Sequence, residues 1–459
     1  MTILKEKLSA FFNSYLFPVF IAIIVFISHT LSIEALSLVI LTISVVLCAI
    51  LCDDLRCIIA PVLMITFTFS YKTFLNGWLG SATFAILAIC ALTLIIGAVI
   101  VHMVIFKKLS ALKELSHSKI IWGFLVLCVG FLLNGVFSGE YYGINITFAI
   151  ILTFSFLAIY VFFYTGLKNR SDTHEYLLFI LYVVSVLLVA QAIVLLLRDA
   201  RLNESGSIIK ETLILGWGVW NNLGGMLCML IPVHFYYATT KKHGYIYYIS
   251  ALVVYLTIAL TLSRSSLLFA TVIFLICVVF SCTRGQNVRT NRIITLALAI
   301  IAILGFIALF DKISSLLGSY ITQGFGDNGR FELYKHGIEN FLSHPIFGGG
   351  FGSCIEDNFG HGIEPNRYHN TIIELLATCG LMGFGAYIFH RYQTIRLIWK
   401  RKANDCVIFL GLVILGLLLT SLLDNHFFNI YPSMYYSIIL CVLEKCQKEH
   451  EPLNQGIDG

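Results

Sequence analysis

Residues 79–106 read LGSATFAILAICALTLIIGAVIVHMVIF, and residues 107–119 read KKLSALKELSHSK. The first stretch holds no Asp, Glu, Lys or Arg in 28 residues, and the second holds four lysines in 13. A helix over the first stretch is about 40 Å long, enough to cross a hydrocarbon core of about 30 Å. A block of lysines directly behind such a run marks the end that stays in the cytosol. Read outward from this pair, the chain is a multi-pass membrane protein. Apolar runs near 14–31, 34–51, 57–71, 79–106, 119–138, 143–166, 176–197, 223–239, 245–262, 265–282, 293–310, 371–390, 406–423 and 427–443 each suit a span. That is fourteen, or twelve if the weakest, such as 57–71, do not cross.

Composition agrees. Hydrophobic residues make up 58% of the 459-residue chain and charged residues 12%, with a mean hydropathy of +0.89. A soluble exterior needs more polar groups than this, whereas a bilayer accepts an apolar one. The first run, from Tyr15 to about Leu31, has no small-residue cleavage site and reads as a signal anchor. Of thirteen cysteines only Cys354 falls in an expected outer loop, and no CxxC pair or His/Cys cluster exists, so the cysteines read as small core residues.

Orientation follows from Lys and Arg. With the N-terminus in the cytosol, alternating spans place 21 of the 30 basic residues inside. The outer side keeps nine: Lys72, Arg198, Arg201, Lys210, Arg264, Lys312, Arg330, Lys335 and Arg367. Both termini are then cytosolic. Two outer segments are long, about 198–222 and about 311–370, and long loops are uncommon unless functional. No soluble domain, low-complexity tract or internal repeat is visible. The organisation expected is an N-terminal transmembrane bundle over 1–214, a second transmembrane region over 215–448 that includes the outer loop 311–370, and a polar cytosolic tail over 449–459.

Four outer motifs carry candidate chemistry. Gly329-Arg330-Phe331-Glu332 opens a stretch in which Phe331, Tyr334, Ile338 and Phe341 share a helical face, stopped by His344-Pro345. A cation at such a helix start is unfavourable unless an anion sits there. Phe347-Gly348-Gly349-Gly350-Phe351-Gly352 then reads as a flexible hinge. The plain alternative is a surface helix resting on headgroups. Asn366-Arg367-Tyr368-His369-Asn370, followed by Glu374, sits where the loop re-enters the membrane. A partly desolvated His369 would favour neutral imidazole and could serve as a general base; alternatively it is a structural His beside a helix start. Glu374 needs a partner at that depth. Thr261-Leu262-Ser263-Arg264-Ser265-Ser266 leaves a guanidinium at the outer boundary, suited to phosphate or simply snorkelling to headgroups. Gly216-Trp217-Gly218-Val219-Trp220-Asn221-Asn222-Leu223-Gly224-Gly225 combines interfacial Trp with paired Asn and small residues that permit close helix packing. The Lys and Arg bias puts all four on one side. Two arginines, a histidine and Asn groups there suit a bulky phosphorylated substrate.

These residues resemble the O-antigen ligase and O-antigen polymerase (Wzy-type) membrane proteins over about 215–390. Ser263-Arg264-Ser265 is similar to the family's Ser-Arg signature. Gly329-Arg330, the aromatic helix and Pro345-Ile346-Phe347-Gly348-Gly349-Gly350 resemble its Arg…Pro-x-x-Gly-x-Gly loop. His369-Asn370 with Glu374 and Gly380 resembles its His-Asn…Glu…Gly segment, and Trp220-Asn221-Asn222 a weaker Asn element. Tyr334 stands where the family often has Trp. The resemblance implies an all-α, GT-C-like polytopic bundle and a metal-independent glycosyltransferase without cofactor. Its donor would be a glycan on undecaprenyl diphosphate and its acceptor a sugar or lipid-linked hydroxyl on the outer face of the cell membrane. Arg264 and Arg330 would bind the diphosphate and His369 would deprotonate the acceptor, with Asn370, Glu374 and Asn222 in support. Arginines can neutralise a leaving diphosphate without a metal, although Asp327, Glu356, Asp357 and Glu364 leave metal binding open on residue type alone.

Polymerisation and ligation share one such site and differ in acceptor. A flippase would instead need ionisable residues at several span centres, where Lys, Arg, Asp and Glu are nearly absent. A scaffold gives no reason for two Arg and a His on one side. Nothing suggests nucleic-acid binding; membrane lipids are the surrounding partner.

Overall fold

The computed structural model describes residues 2–69, 81–108, 111–138, 143–198, 215, 220–308, 310, 330–354 and 368–445. The tail 449–459, most of the two long outer loops, Gly216–Val219, Gly329, Asp327, Glu356, Asp357, Glu364, Asn366 and Arg367 lie outside the described residues, as do Lys72, Arg201, Lys210 and Lys312.

The described chain is an all-α polytopic bundle. Its principal helices are α1 (Thr2–Phe12), α2 (Leu16–Leu31), α3 (Glu34–Leu51), α4 (Leu55–Thr68), α5 (Ala82–Ile105), α6 (Lys119–Leu132), α7 (Asn145–Gly166), α8 (Thr173–Arg198), α9 (Trp220–Thr240), α10 (Gly244–Leu260), α11 (Arg264–Thr283), α12 (Val288–Ala308), α13 (Arg330–Ser343), α14 (Thr371–Lys400), α15 (Asp405–Thr420) and α16 (Ile430–Lys445). Seven of them, α3, α5, α7, α8, α11, α12 and α14, are long and apolar enough to cross a membrane unaided; α1 and α2, bent by 71°, make an eighth if taken as one span. The other expected spans are shorter helices. The run expected at 57–71 is α4, which is broken into 3-10 and α turns and buried inside the bundle.

Exposure sorts the helices by layer. α5 starts at Ser81, whose hydroxyl accepts from the Phe84 N–H at 3.2 Å, and then runs apolar on every side. Only 11% of its most apolar window is buried, and for α12 the figure is 6%, so both are peripheral and meet lipid. At the other extreme, every residue of α9 from Leu223 to Thr239 is buried. It packs against α8, α10, α11 and α15. A helix surrounded by helices must satisfy its polar groups internally. His234 does so with Ser185 at 2.8 Å and Ser250 at 2.9 Å.

The bundle has two chemically distinct ends. One carries ion pairs: Arg56–Asp172 at 2.7 Å, Lys108–Asp53 at 2.9 Å, Lys168–Asp53 and Arg284–Asp405 at 3.6 Å. All lie in segments that the Lys/Arg bias assigns to the cytosol. The starts of α9, α11, α14 and α16 and the end of α15 lie at the other end. One boundary differs from expectation. The span expected at 371–390 continues to Lys400, so Arg391 is not a loop residue. Its guanidinium is buried 4.5–4.7 Å from the ring centres of Tyr387, Phe427 and Tyr436, and Nη1 donates to the Tyr436 hydroxyl at 2.8 Å.

Candidate functional site

The site is framed by the first turn of α14 and the turn after α15. Asn370 caps α14: its Oδ1 accepts from the Ile372 and Ile373 N–H groups at 2.9 and 3.1 Å. Its Nδ2 donates across to the Leu422 carbonyl at 2.9 Å. Thr371 donates through both N–H and hydroxyl to the Ser421 carbonyl, at 3.0 and 2.9 Å. Glu374 is buried, and its Oε2 accepts from the Tyr368 N–H at 2.9 Å and from Asn425 Nδ2 at 2.7 Å. The partner that a carboxylate at this depth requires is therefore present. Asn370, Thr371 and Glu374 together staple the His369 segment to residues 421–425.

That frame presents Asp424. Its Oδ1 lies 3.2 Å from His369 Nδ1 and 3.5 Å from Arg330 Nη2, and its Oδ2 accepts from the Ser265 hydroxyl at 3.0 Å. The carboxylate is 7% exposed, the Arg330 side chain 24% and the His369 side chain 43%. Thus a buried anion holds two groups that reach outward. Burial pushes the Asp424 pKa up, but the hydrogen bond with His369 and the charges of His426, Arg330 and His369 outweigh it, and the net shift is downward. Asp424 is a carboxylate at neutral pH. It is also the anion that Arg330, at the start of α13, requires.

His369 has φ +50°, in the left-handed region. A non-glycine residue there costs on the order of 1–3 kcal/mol and persists only where neighbours over-determine it. Here Glu374 holds the preceding N–H, Asn370 caps the following helix, and the Tyr334 hydroxyl reaches the His369 carbonyl at 3.5 Å. The His369 side chain is 43% exposed and otherwise covered, which agrees with the partial desolvation expected there. An imidazole whose Nδ1–H donates to a carboxylate presents Nε2 as a proton acceptor.

Ser263-Arg264-Ser265 divides its labour. Ser263 caps α11 by accepting from the Ser266 N–H, Ser265 is tied to Asp424, and Arg264 between them points to the exposed side. The motif thus brings the Arg264 backbone within one residue of the Asp424 cluster. The Asn222 segment adjoins the same place: Asn222 Oδ1 accepts from Asn429 Nδ2 at 3.4 Å, and the Ser266 hydroxyl donates to the Asn221 carbonyl at 3.3 Å. A Cβ on Gly224 would stand 2.7 Å from Ser266 Oγ, and one on Gly225 would overlap the His426 ring. The close packing expected of these small residues brings α9 against the Ser-Arg-Ser turn.

The glycine stretch corrects the expected hinge. α14 is broken at Gly380, with φ 63° and ψ −160°. The Gly349 and Gly350 N–H groups donate to Ala377 and Thr378 carbonyls at 2.8 and 3.0 Å, and Leu381 and Met382 donate back to Pro345 and Ile346 at 2.9 and 3.1 Å. The glycines form a seam against a broken helix and satisfy backbone groups that the break frees. In an apolar setting such groups cannot be left open.

Asp424 was not among the residues singled out from sequence. Asp424-Asn425-His426 is a three-residue gap between two apolar runs, and it reads as a turn. The available signal was its side: an acidic and a titratable residue together at an outer boundary. Among the described residues no group of three or more His, Cys, Asp or Glu is disposed to hold a metal.

Residues 249–388 match a family model described as O-antigen ligase. No curated protein matches the chain. The matched region contains Arg264, Arg330, His369, Asn370 and Glu374; Asn222 and Asp424 lie on either side of it.

Proposed function

We propose that this chain, of which residues 249–388 match the O-antigen ligase family model, moves a glycan from undecaprenyl diphosphate to an acceptor hydroxyl on the outer face of the cell membrane. One observation supports this reading above the rest: a buried carboxylate, Asp424, that holds both His369 and Arg330.

In the proposed reaction the acceptor O–H gives its proton to His369 Nε2 while its oxygen attacks the anomeric carbon of the donor. The bond from that carbon to the diphosphate oxygen breaks, and the lipid diphosphate leaves with the electron pair. Asp424 fixes the ring orientation and favours the imidazolium that forms. Arg330 and Arg264 neutralise the leaving diphosphate, a charge that grows in the transition state and that planar guanidinium donors suit. Asn370, Glu374 and Asn222 act by holding the frame. No metal or cofactor enters this scheme.

The test is donor turnover by purified protein in proteoliposomes given undecaprenyl-diphosphate-linked glycan. Free undecaprenyl diphosphate is the expected product. His369→Ala and Arg264→Ala should abolish its release at unchanged protein level; full release in both would remove the assignment. Glycan crossing the bilayer with its diphosphate bond intact would favour a flippase. A product that grows on the carrier identifies a polymerase, and one moved to a different acceptor identifies a ligase.

A further inference from the structure

At the end of the bundle opposite Asp424, α6, α14 and α16 enclose a small cleft of about 70 Å³. Lys119, Gln393, Arg396, Leu397, Lys400 and Glu444 line it. That volume admits a few waters or one phosphoryl group, but not a sugar. Three of the lining residues are cations and one is an anion. The anion is committed elsewhere: Glu444 accepts from the Ser118 hydroxyl at 2.7 Å, from the Lys119 and Ile120 N–H groups at 2.9 and 3.3 Å, and from Tyr160. It caps α6, and no side chain of Lys119, Arg396 or Lys400 pairs with it among the described residues. Lys119 also stands at the positive end of α6, where a cation is unfavourable without an anion. Gln393 adds an Oε1 that is buried without a hydrogen-bond donor.

The cleft opens toward lipid. On α14 the spacing 392, 395, 399 makes an exposed apolar stripe: Tyr392 is 58%, Ile395 63% and Trp399 65% exposed. Beside it runs the polar row Gln393, Arg396, Lys400. On α6, Trp122 is 54% exposed one turn from Lys119. Exposed Trp beside Lys and Arg at helix ends is the pattern of a headgroup boundary. An apolar strip for an acyl chain thus lies against a basic notch of phosphate size.

We propose that this cleft binds one anionic phospholipid whose phosphodiester sits among Lys119, Arg396 and Lys400, whose headgroup hydroxyl donates to Gln393, and whose chain lies along Tyr392, Ile395 and Trp399. The Lys/Arg bias puts this end in the cytosol, so the lipid belongs to the inner leaflet, away from the site of glycan transfer. The inference does not depend on what that site does.

The experiment uses the full chain in detergent with dioleoylphosphatidylglycerol or dioleoylphosphatidylcholine, read by retained adducts in native mass spectrometry and by Tm. Phosphatidylglycerol should be retained about tenfold or more over phosphatidylcholine and should alone raise Tm. Each cation removed should cost about fivefold in that preference, so Lys119→Gln/Arg396→Gln/Lys400→Gln should show none. If the triple variant does not fold, Arg396→Gln alone should lose about fivefold. Lys241→Gln/Lys242→Gln, at the same end but outside the cleft, should keep the full preference. An unchanged preference in the cleft variants, an equal loss in the Lys241/Lys242 variant, or displacement of the lipid by millimolar inorganic phosphate would each overturn a lipid site.

Discussion

A single carboxylate oxygen facing both an imidazole and a guanidinium sets the chemistry at the residue scale. Oδ1 of Asp424 is 3.2 Å from His369 Nδ1 and 3.5 Å from Arg330 Nη2, so one buried charge orients both groups. Asp424→Asn keeps the shape and removes the charge. Its donor turnover in proteoliposomes should fall about 10²-fold or more, the usual share of general base catalysis, with KM for the donor changed far less than kcat. Equal activity would leave His369 without an orienting group in the mechanism. The pH dependence has a definite sign. The folded pKa of Asp424 is depressed below its unfolded value, so its contribution to stability is complete above about pH 3.9 and is lost as pH falls through the lower folded value. The Tm difference between wild type and Asp424→Asn should therefore narrow as the pH drops below about 4. His369, Arg330 and Arg264 are legible in the sequence because each is a polar residue in an unusual setting. Asp424 is not, since its importance comes from a contact 55 residues distant along the chain.

Among elements, the pairing of a broken helix with a glycine seam ties residues 345–350 to α14. Periodicity shows that α14 is a helix and that glycines precede it, but it cannot show which backbone groups bond across the gap; hence the expected hinge. At Gly348, φ is +69° and an added Cβ would meet the Thr378 backbone; at Gly380, φ is +63° and the Cβ would stand 2.5 Å from the Ile346 carbonyl. Gly385, five residues further along the same helix, has open space around its Cβ position. Gly348→Ala and Gly380→Ala should each lower stability by about 1–3 kcal/mol and reduce folded yield, measured as Tm in detergent. Gly385→Ala should be neutral or slightly stabilising, as Gly to Ala in a helix interior is worth about 0.5–1 kcal/mol. If all three behaved alike, helix propensity rather than the seam would account for the effect. The Asn-rich start of α9 was legible as a site of close packing, because small residues beside Trp have few other uses in a membrane helix.

For the whole molecule the strongest signal is the asymmetry of charge between its two ends. The membrane class could be read from one run of 28 residues without Asp, Glu, Lys or Arg, followed by lysines. Span number could not, because several helices are too short to cross alone and rely on neighbours to bury their ends, as α4 does. Arg391 escaped notice for a related reason: three aromatic rings let a guanidinium sit within the bundle where hydropathy alone predicts a loop. We infer from the Lys and Arg bias that the ion-paired end holding Arg56, Lys108 and Arg284 is cytosolic, which would put Asp424, His369 and Arg330 outside. It can be checked with two engineered thiols on a Cys354→Ser background. Ser343, at the exposed end of α13, and Ser116, in the lysine-rich segment before α6, are both exposed. Ser343→Cys should react with a membrane-impermeant maleimide when only the outer face of the membrane is open to the reagent. Ser116→Cys should react only after the membrane is permeabilised. The reverse pattern would turn the transfer site toward the cytosol and remove the outer-face reaction, while leaving the Asp424 cluster intact; reaction of both before permeabilisation would show that Lys and Arg do not set the orientation of this chain.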